Sequence, residues 1–369
     1  MKRIILLVSP YSKTSVGGIG TWTKNLLDYH STLDNDFEII QLNTAFGFKP
    51  NLEKSKGNRI LHGLIDGLSI ITLLLIKIIQ YKPKTIHYTS SASYALIKDL
   101  FAILIAKIFR VRFVIHFMCG RIPEIVRNQN MEWKMLKIVL RIADLVIVLD
   151  AKSLTNLNSL GYRNIIKIPN PISEELYNIA KYNKKEKRKT IESGTIIFIG
   201  HIIPEKGVFE LVEACTRNNK VKNLVMVGPV LENIRSELIT ISKQRNGGDW
   251  LKMKGIINLN ELYYYLNLAN VLCLPSYTEG FPNVILEAMV FRCPVIATKV
   301  GAIEEMIISE EYGNAGICID AKNMEQLYDS IDSLISDLNT ALKYGINGNN
   351  LVLSNYTLDH IYYQYKTIW

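Results

Sequence analysis

Short apolar runs alternate with helix-length amphipathic segments along most of this chain, and they do so in two successive series. In the first series the strand candidates are Ile4–Ser9, Glu38–Leu42, Thr85–Tyr88, Phe113–Phe117, Leu145–Leu149 and Ile165–Ile168. Between them lie the helical periods Gly20–Tyr29, Leu64–Gln80, Tyr94–Phe109 and Ala151–Leu160. Alternation of this kind dictates a parallel sheet with crossover helices. Asn170-Pro171 stops the pattern, and the charged run from Lys181 to Lys189, which has no apolar period, reads as an exposed connection. The alternation then restarts with strands at Thr195–Ile199, Asn223–Val227, Leu251–Lys254, Val271–Leu274 and Val295–Ala297. Its helices are Val208–Ala214, Ile234–Gln244, Glu261–Leu268 and Asn283–Phe291. At 369 residues two domains are the natural expectation. The reading is α/β, two Rossmann-like doubly wound domains facing across a cleft, residues 1–178 and 179–351. An aromatic-rich helix over about 352–369 packs back on one of them.

Composition narrows the class. Hydrophobic residues make up 48% and charged residues 21%, which is globular rather than disordered. The net charge of +9 is uneven: residues 1–178 hold 23 Lys and Arg against 13 Asp and Glu, net +10, and the remainder 20 against 21, net −1. A basic first half beside a neutral second half suggests an acidic partner for the first. The basic residues are not interleaved with aromatics as in a nucleic-acid module, whereas an anionic membrane surface or a phosphate-bearing lipid fits; solvated surface lysines are the plainer alternative. The five cysteines, Cys119, Cys215, Cys273, Cys293 and Cys318, are odd in number and form no CxxC pair, so buried free thiols in a reducing compartment are expected. Met1-Lys2-Arg3 leads into an apolar run too short for a signal peptide. Leu64–Ile79, interrupted by Asp66 and Lys77, falls short of a bilayer span. A cytoplasmic protein, in peripheral contact with the inner face of the plasma membrane, is the expectation.

Four constellations carry chemistry. In Pro275-Ser276-Tyr277-Thr278-Glu279-Gly280-Phe281-Pro282-Asn283-Val284, continuing to Glu287, a Gly/Pro break opens a helix between two glutamates. A helix start presents unpaired N–H groups and partial positive charge to a phosphate. Asn283 and Val284 can donate such groups, while Pro282 cannot. Glu287 lies about 6 Å further along the axis at ~1.5 Å per residue. Phosphate in the middle with carboxylates for hydroxyls at either side describes a sugar nucleotide; a glycosidase acid and nucleophile, or a capping and surface pair, are the alternatives. Gly200-His201-Ile202-Ile203-Pro204-Glu205-Lys206 puts a cation just past a strand's carboxyl end, where it would neutralise a leaving diphosphate; otherwise Lys206 is a surface lysine. Gly17-Gly18-Ile19-Gly20 lets backbone approach a ligand closely, but it is not a dinucleotide fingerprint and is equally a plain flexible loop. His116 ends a strand where it can reach a cleft and a sugar hydroxyl, or it is a satisfied core histidine. Arg121 and Arg127 after it could meet acceptor phosphate. Tyr263-Tyr264-Tyr265 reads as helix-face packing. No Asp-x-Asp pair and no His/Cys cluster of metal-ligand spacing is singled out, and metal-independent chemistry without a cofactor is expected.

These residues, with "VIHFMCG", "ADLVIVLD", "IPNPI", "FIGHIIPEKGV", "KGIINLNEL" and "PSYTEGFPNVILEAM…PVIATKVGAIEEMI" in this order over residues 1 to about 310, resemble the retaining family-four glycosyltransferases of GT-B architecture. The resemblance implies an acceptor-binding first domain, to which the C-terminal helix crosses back, and a second domain for the nucleotide sugar. It implies that Gly17 and Gly18 face the donor, that Lys206 contacts the diphosphate and Glu287 the ribose. Glu279, with Gly280 and Phe281 beside it, would hold the donor sugar, Ile257 would meet the base through its backbone, and His116 would meet the sugar. Transfer would retain configuration, the leaving phosphate helping to deprotonate the acceptor. Where the family usually has arginine after the strand glycine this chain has His201, which lacks arginine's permanent, forked charge. The expected activity moves a hexose or N-acetylhexosamine from a UDP- or GDP-sugar to a lipid-diphosphate-linked glycan, as in O-antigen, lipopolysaccharide or capsule assembly. A sugar-nucleotide epimerase of the same fold and a non-catalytic glycan-binding subunit are the competing readings.

Overall fold

The computed structural model describes residues 2–11, 18–34, 36–45, 56–93, 95–185, 194–245 and 249–369, those of 56–64 and 185 in backbone only. It divides into two compact units, Met1–Asn170 with Leu358–Trp369, and Pro171–Thr357.

In the first unit the strands are β1 (Arg3–Ser9), β2 (Phe37–Asn43), β3 (Thr85–Ser90), β4 (Arg112–Phe117), β5 (Leu145–Val148) and β6 (Ile165–Lys167). The helices between them are α1 (Gly18–Ser31), α2 (Lys56–Tyr81), α3 (Ala95–Ile108), α4 (Ile122–Asn128), α5 (Met131–Ile142) and α6 (Ala151–Ser159). All strands pair in parallel in the order β2-β1-β3-β4-β5-β6. Central strands read as nearly continuous Ile, Leu and Val because helices cover both faces. Leu74 and Ile78 of α2, Ile103 and Ala106 of α3, and Leu136 and Val139 of α5 pack on one face. Trp22 and Leu26 of α1 cover the other, together with Ile361, Tyr362 and Tyr365 of the C-terminal helix (Leu358–Ile368). α4 and α5 lie beyond the helices read from the sequence. Asn130 caps α5 by accepting from the Trp133 N–H.

In the second unit β7 (Thr195–Ile199), β8 (Asn223–Val227), β9 (Leu251–Gly255), β10 (Val271–Leu274), β11 (Val295–Thr298) and β12 (Gly316–Ile319) form a parallel sheet ordered β12-β11-β10-β7-β8-β9. Around it stand α7 (Glu174–Lys185), α8 (Val208–Arg217), α9 (Glu232–Ser242), α10 (Leu259–Leu268), α11 (Asn283–Val290), α12 (Ile303–Ile307), α13 (Met324–Ser336) and α14 (Leu338–Asn355), so that the C-terminal helix is α15.

Three boundaries differ from the sequence reading. Residue 178 falls inside α7, so the chain changes unit at Asn170/Pro171. The charged run begins within that same helix: Leu176 and Ala180, one turn apart, are buried, and the Asn183 side chain donates to the Val290 carbonyl at 2.9 Å. That part is an anchored helix and not an exposed connection, and 186–193 lies outside the described residues. At the other end α14 stays with the second unit through Asn355, and only α15 returns to the first. α15 is held by its aromatic face: Tyr365 and Trp369 stack at 5.6 Å, and the Trp369 Nε1–H donates to His87 Nδ1 at 2.9 Å.

Candidate functional site

The second sheet reverses its winding between β7 and β10. These strands are neighbours, yet the chain leaves β7 toward β8 and β10 toward β11, in opposite directions. At such a switch point the two connections diverge and leave a crevice beyond the strands' carboxyl ends. Both halves of the strongest sequence signal fall there: Lys206 follows β7 and Glu279 follows β10.

Backbone contacts bring the two segments together. After β7 the chain passes Gly200 and His201 and closes a 3-10 turn at Pro204–Lys206, ended by Gly207 at φ +66°. A Cβ on Gly207 would lie 2.1 Å from the Pro275 carbonyl oxygen, so this turn rests directly on the loop after β10. The Tyr277 N–H donates to the Glu205 carbonyl at 2.9 Å. From this frame the Lys206 ammonium donates to Glu279 Oε1 at 2.6 Å, and the Ser276 hydroxyl donates to the same oxygen at 2.7 Å. The two charged side chains are only 25% and 12% exposed, which keeps the pair from being a solvated surface contact. Behind them the Ala302 N–H donates to the Gly280 carbonyl at 2.9 Å. Gly301, at φ +55°, allows this, since a Cβ there would sit 2.4 Å from the Glu279 carbonyl oxygen.

A cavity of about 360 Å³ opens over this arrangement. Its polar wall is Gly200, exposed His201, Lys206 and Glu279, and its apolar lining is Ile199, Leu274, Pro282 and Val284. α11 begins at Asn283 with Pro282 in the capping position, so the amides of its first turn stand at the same place. The structure thus brings together His201, Lys206, Glu279 and Val284 around the cavity, with Gly280 and Asn283 their neighbours in the chain. Ser276, Ile199, Leu274 and Pro282 were not singled out from the sequence; Ser276 has a legible signal in its position three residues before Glu279.

The remaining candidates stand apart from this cavity in different ways. Glu287 is one turn into α11, and burial pushes its carboxyl up to about 7. Phe281 is buried, its ring 5.9 Å from that of Tyr356. Ile257 follows β9 and is partly exposed. Tyr263 packs on Phe291 at 5.0 Å, as helix-face packing requires, whereas Tyr264 is exposed. Gly18 is the exposed first residue of α1, and Gly17 lies outside the described residues. In the first unit His116 is enclosed by Trp22, His87 and Tyr365, its Nδ1 3.3 Å from His87 Nε2, and burial holds it well below the usual histidine range. Trp369 donates to His87 Nδ1, so neutral His87 donates from Nε2 and His116 carries its proton on Nε2. That buried atom has no hydrogen-bond partner. Arg121 is held 3.5 Å from both Glu124 and Glu132, while Arg127 is exposed. An Asp-x-Asp sequence does occur, Asp34-Asn35-Asp36; it precedes β2 at the amino end of the sheet, where Asp36 pairs with Arg3 and Lys366 at 3.8 Å. Among the described residues no group of three or more His, Cys, Asp or Glu is placed to hold a metal.

The fold has close parallels among solved structures. The chain has the GT-B fold: it superposes over its full length on sucrose-phosphate synthase from Thermosynechococcus elongatus, covering 98% of that chain, with a TM-score of 0.76 at 19% identity. It superposes likewise on Anabaena HepE solved with UDP, with a TM-score of 0.71 at 16% identity and 99% of each chain covered. Residues 180–351 match the family model of the glycosyl transferases group 1, and the second unit, with the site just described, belongs to that family. Among curated relatives, the capsular polysaccharide biosynthesis glycosyltransferase CapM of Staphylococcus aureus is 26% identical over 207 residues, 54% of this chain and 52% of that one. The chain spans about half the length of the curated relatives it matches.

Proposed function

We propose that this chain is a retaining glycosyltransferase that moves a hexose or N-acetylhexosamine from a UDP- or GDP-sugar to a lipid-diphosphate-linked glycan in the assembly of a bacterial surface polysaccharide. The observation that carries the reading is the Lys206–Glu279 pair, 2.6 Å apart, on the wall of a cavity at the switch point beside a helix start. A cation and amide donors suit a diphosphate, and a carboxylate beside them suits sugar hydroxyls. In the proposed complex the diphosphate takes the Lys206 ammonium, releasing Glu279 to accept from the donor sugar. As the glycosidic bond breaks, negative charge grows on the leaving phosphate, and Lys206 with the first turn of α11 stabilises it. This leaves no step that asks for a metal. Glu287 accepts from the ribose and His201 flanks the diphosphate. The acceptor contacts, Arg121 and Arg127, and a sugar contact through His116 rest on the family resemblance. HepE, of the same fold, was solved with UDP and with UDP-glucose, and CapM is named for capsule biosynthesis; both support a nucleotide-sugar donor and a polysaccharide product.

The test is calorimetric titration with a panel of UDP- and GDP-sugars, followed by transfer assays of wild type and Glu279→Gln. Binding of one donor, with transfer abolished and binding nearly intact in the variant, is the expected result. Full transfer by Glu279→Gln would overturn the role given to that carboxylate. Turnover of the donor in the absence of any acceptor would make the chain an epimerase.

A further inference from the structure

The first unit carries a surface that the donor site does not use. α3 packs against α2 on one side and α5 on the other, so these helices form a layer over one face of the sheet. Each has an inner apolar stripe in the core, and α3 has an outer one as well: Ile97, Phe101, Leu104 and Ile108, at helical spacing, are all exposed, Ile108 by 75%. On α2 the exposed positions Ile65, Leu68, Ile76 and Ile79 repeat the pattern, Leu68 by 70%. The exposed positions of α5 alternate apolar and basic: Met131, Lys134, Ile138 and Arg141. At ~1.5 Å per residue and about 10 Å between axes, the apolar area is on the order of 400 Å², a size that on a monomer commonly marks a function.

Charge decides between occupants. Among the described residues no Asp or Glu is exposed on α2, α3 or α5. Of the acids near this face, Glu132 is engaged with Arg121 and Asp144 with Lys107, and Asp66 of α2 is half-buried between Ile65 and Leu68. Pairing this face with itself in a two-fold dimer would bring together the Lys134 and Arg141 charges of both copies against only a half-buried Asp66 from each. A surface of aliphatic and aromatic side chains edged by unopposed cations matches the interface of an anionic bilayer, where apolar side chains enter the acyl boundary and cations meet the headgroups. Among the described residues no helix is long and apolar enough to cross a membrane, so the contact is with one leaflet.

We propose that the outer face of α2, α3 and α5 docks the chain on an anionic lipid bilayer. This deepens the reading of a lipid-linked acceptor by naming the surface that meets its membrane, but it stands on separate residues. The test is flotation of the full chain with vesicles of phosphatidylcholine alone or with 40 mol% phosphatidylglycerol. Binding is expected to the anionic vesicles, weakened by raising the salt. Each basic side chain near such a surface is worth about fivefold in partition, so Lys134→Gln with Arg141→Gln is expected to lose about 25-fold. Phe101→Ser with Ile108→Ser is expected to lose at least about tenfold, by removing buried apolar groups. Both double variants replace exposed side chains and are expected to keep wild-type circular dichroism and donor affinity. Failure of wild type to float with anionic vesicles, or flotation unchanged in both double variants, would overturn the proposal. So would a wild-type dimer in sedimentation that Phe101→Ser with Ile108→Ser dissociates, since the face would then belong to a second copy. Vesicle binding without binding of any nucleotide sugar would leave the docking surface standing and remove the transferase reading.

Discussion

Glu287 sits in α11 among Leu286, Ala288 and Met289, all buried, and burial alone raises its carboxyl from 4.5 to about 7. A carboxyl that holds its proton more tightly folded than unfolded subtracts stability as pH rises from the unfolded value through the folded one. The loss begins near pH 4.5 and is nearly complete by pH 8. At ~1.4 kcal/mol per pH unit the whole window is worth about 3 kcal/mol, of which about 2.5 kcal/mol falls between pH 5 and 8. These are upper limits, because the side chain is partly exposed. Glutamine has nearly the same shape and no charge to desolvate. Glu287→Gln should therefore match wild type in melting temperature near pH 4 and gain on it by about 5–10 °C between pH 5 and pH 8, taking ~2–4 °C per kcal/mol for a unit of this size. Thermal unfolding followed by circular dichroism at half-unit pH steps measures it. A melting difference that is constant with pH, or that shrinks as pH rises, would refute the desolvation argument. Donor affinity should move the other way, falling in the variant at pH 8 because a neutral amide accepts more weakly from ribose hydroxyls than a carboxylate does. A charge kept where it destabilises the fold is what a binding residue looks like.

Three further expectations follow from other residues. Lys206→Ala removes a charge-assisted contact and should weaken donor binding about 10- to 100-fold by calorimetry; unchanged affinity would place the diphosphate elsewhere. His201→Arg supplies a permanent, forked cation at the exposed mouth of the cavity, and should lower the donor's apparent KM at pH 8; an unchanged or raised KM counts against a diphosphate contact. In the first unit burial lowers His87 to about 3, so stability is lost as pH falls below the unfolded value near 6.5, about 2–3 kcal/mol by pH 4.5. Unfolding of wild type should steepen with acid over that range and His87→Gln should flatten the slope, whatever its effect at pH 7.

Much of this was legible in the sequence because it depends on periodicity and on local chemistry. The strands are short apolar runs whose burial on both faces suppresses alternation, and every sequence-derived strand recurs within a residue or two of its position in the sheets. Lys206, Glu279 and the helix start at Asn283 are also local: turn residues fix where the chain stops and restarts. What failed was nonlocal. The charged run after residue 180 gave no sign that Leu176 and Ala180 anchor it as a helix. Glu287 gave no sign of desolvation, because that comes from what packs around α11. His116 could be read toward a cleft or toward the core, and only Trp22, His87 and the returning Tyr365 and Trp369 show what surrounds it. Strand order is likewise invisible in a linear pattern, although it places Lys206 and Glu279 in the loops that follow adjacent strands.

That order explains why the ion pair is held so closely although its partners are 73 positions apart. Three glycines with positive φ lie around the switch point: Gly207 against the Pro275 carbonyl, Gly228 against the Gly200 carbonyl and Gly301 against the Glu279 carbonyl, each closer than a Cβ would allow. The loops after β7, β8, β10 and β11 are thereby packed backbone against backbone, with the Thr298 hydroxyl donating to the Ser276 carbonyl at 2.5 Å. Lys206 and Glu279 are consequently positioned by main chain rather than by long flexible side chains searching for each other. Their pairing keeps the carboxylate from standing desolvated without a counter-charge. An anion that binds Lys206 removes that counter-charge from Glu279 and supplies hydroxyl donors in its place only if it carries a sugar. Under the proposed function a free diphosphate would take the lysine and leave Glu279 only the Ser276 hydroxyl, so the pair would favour a glycosylated diphosphate over the bare nucleotide product.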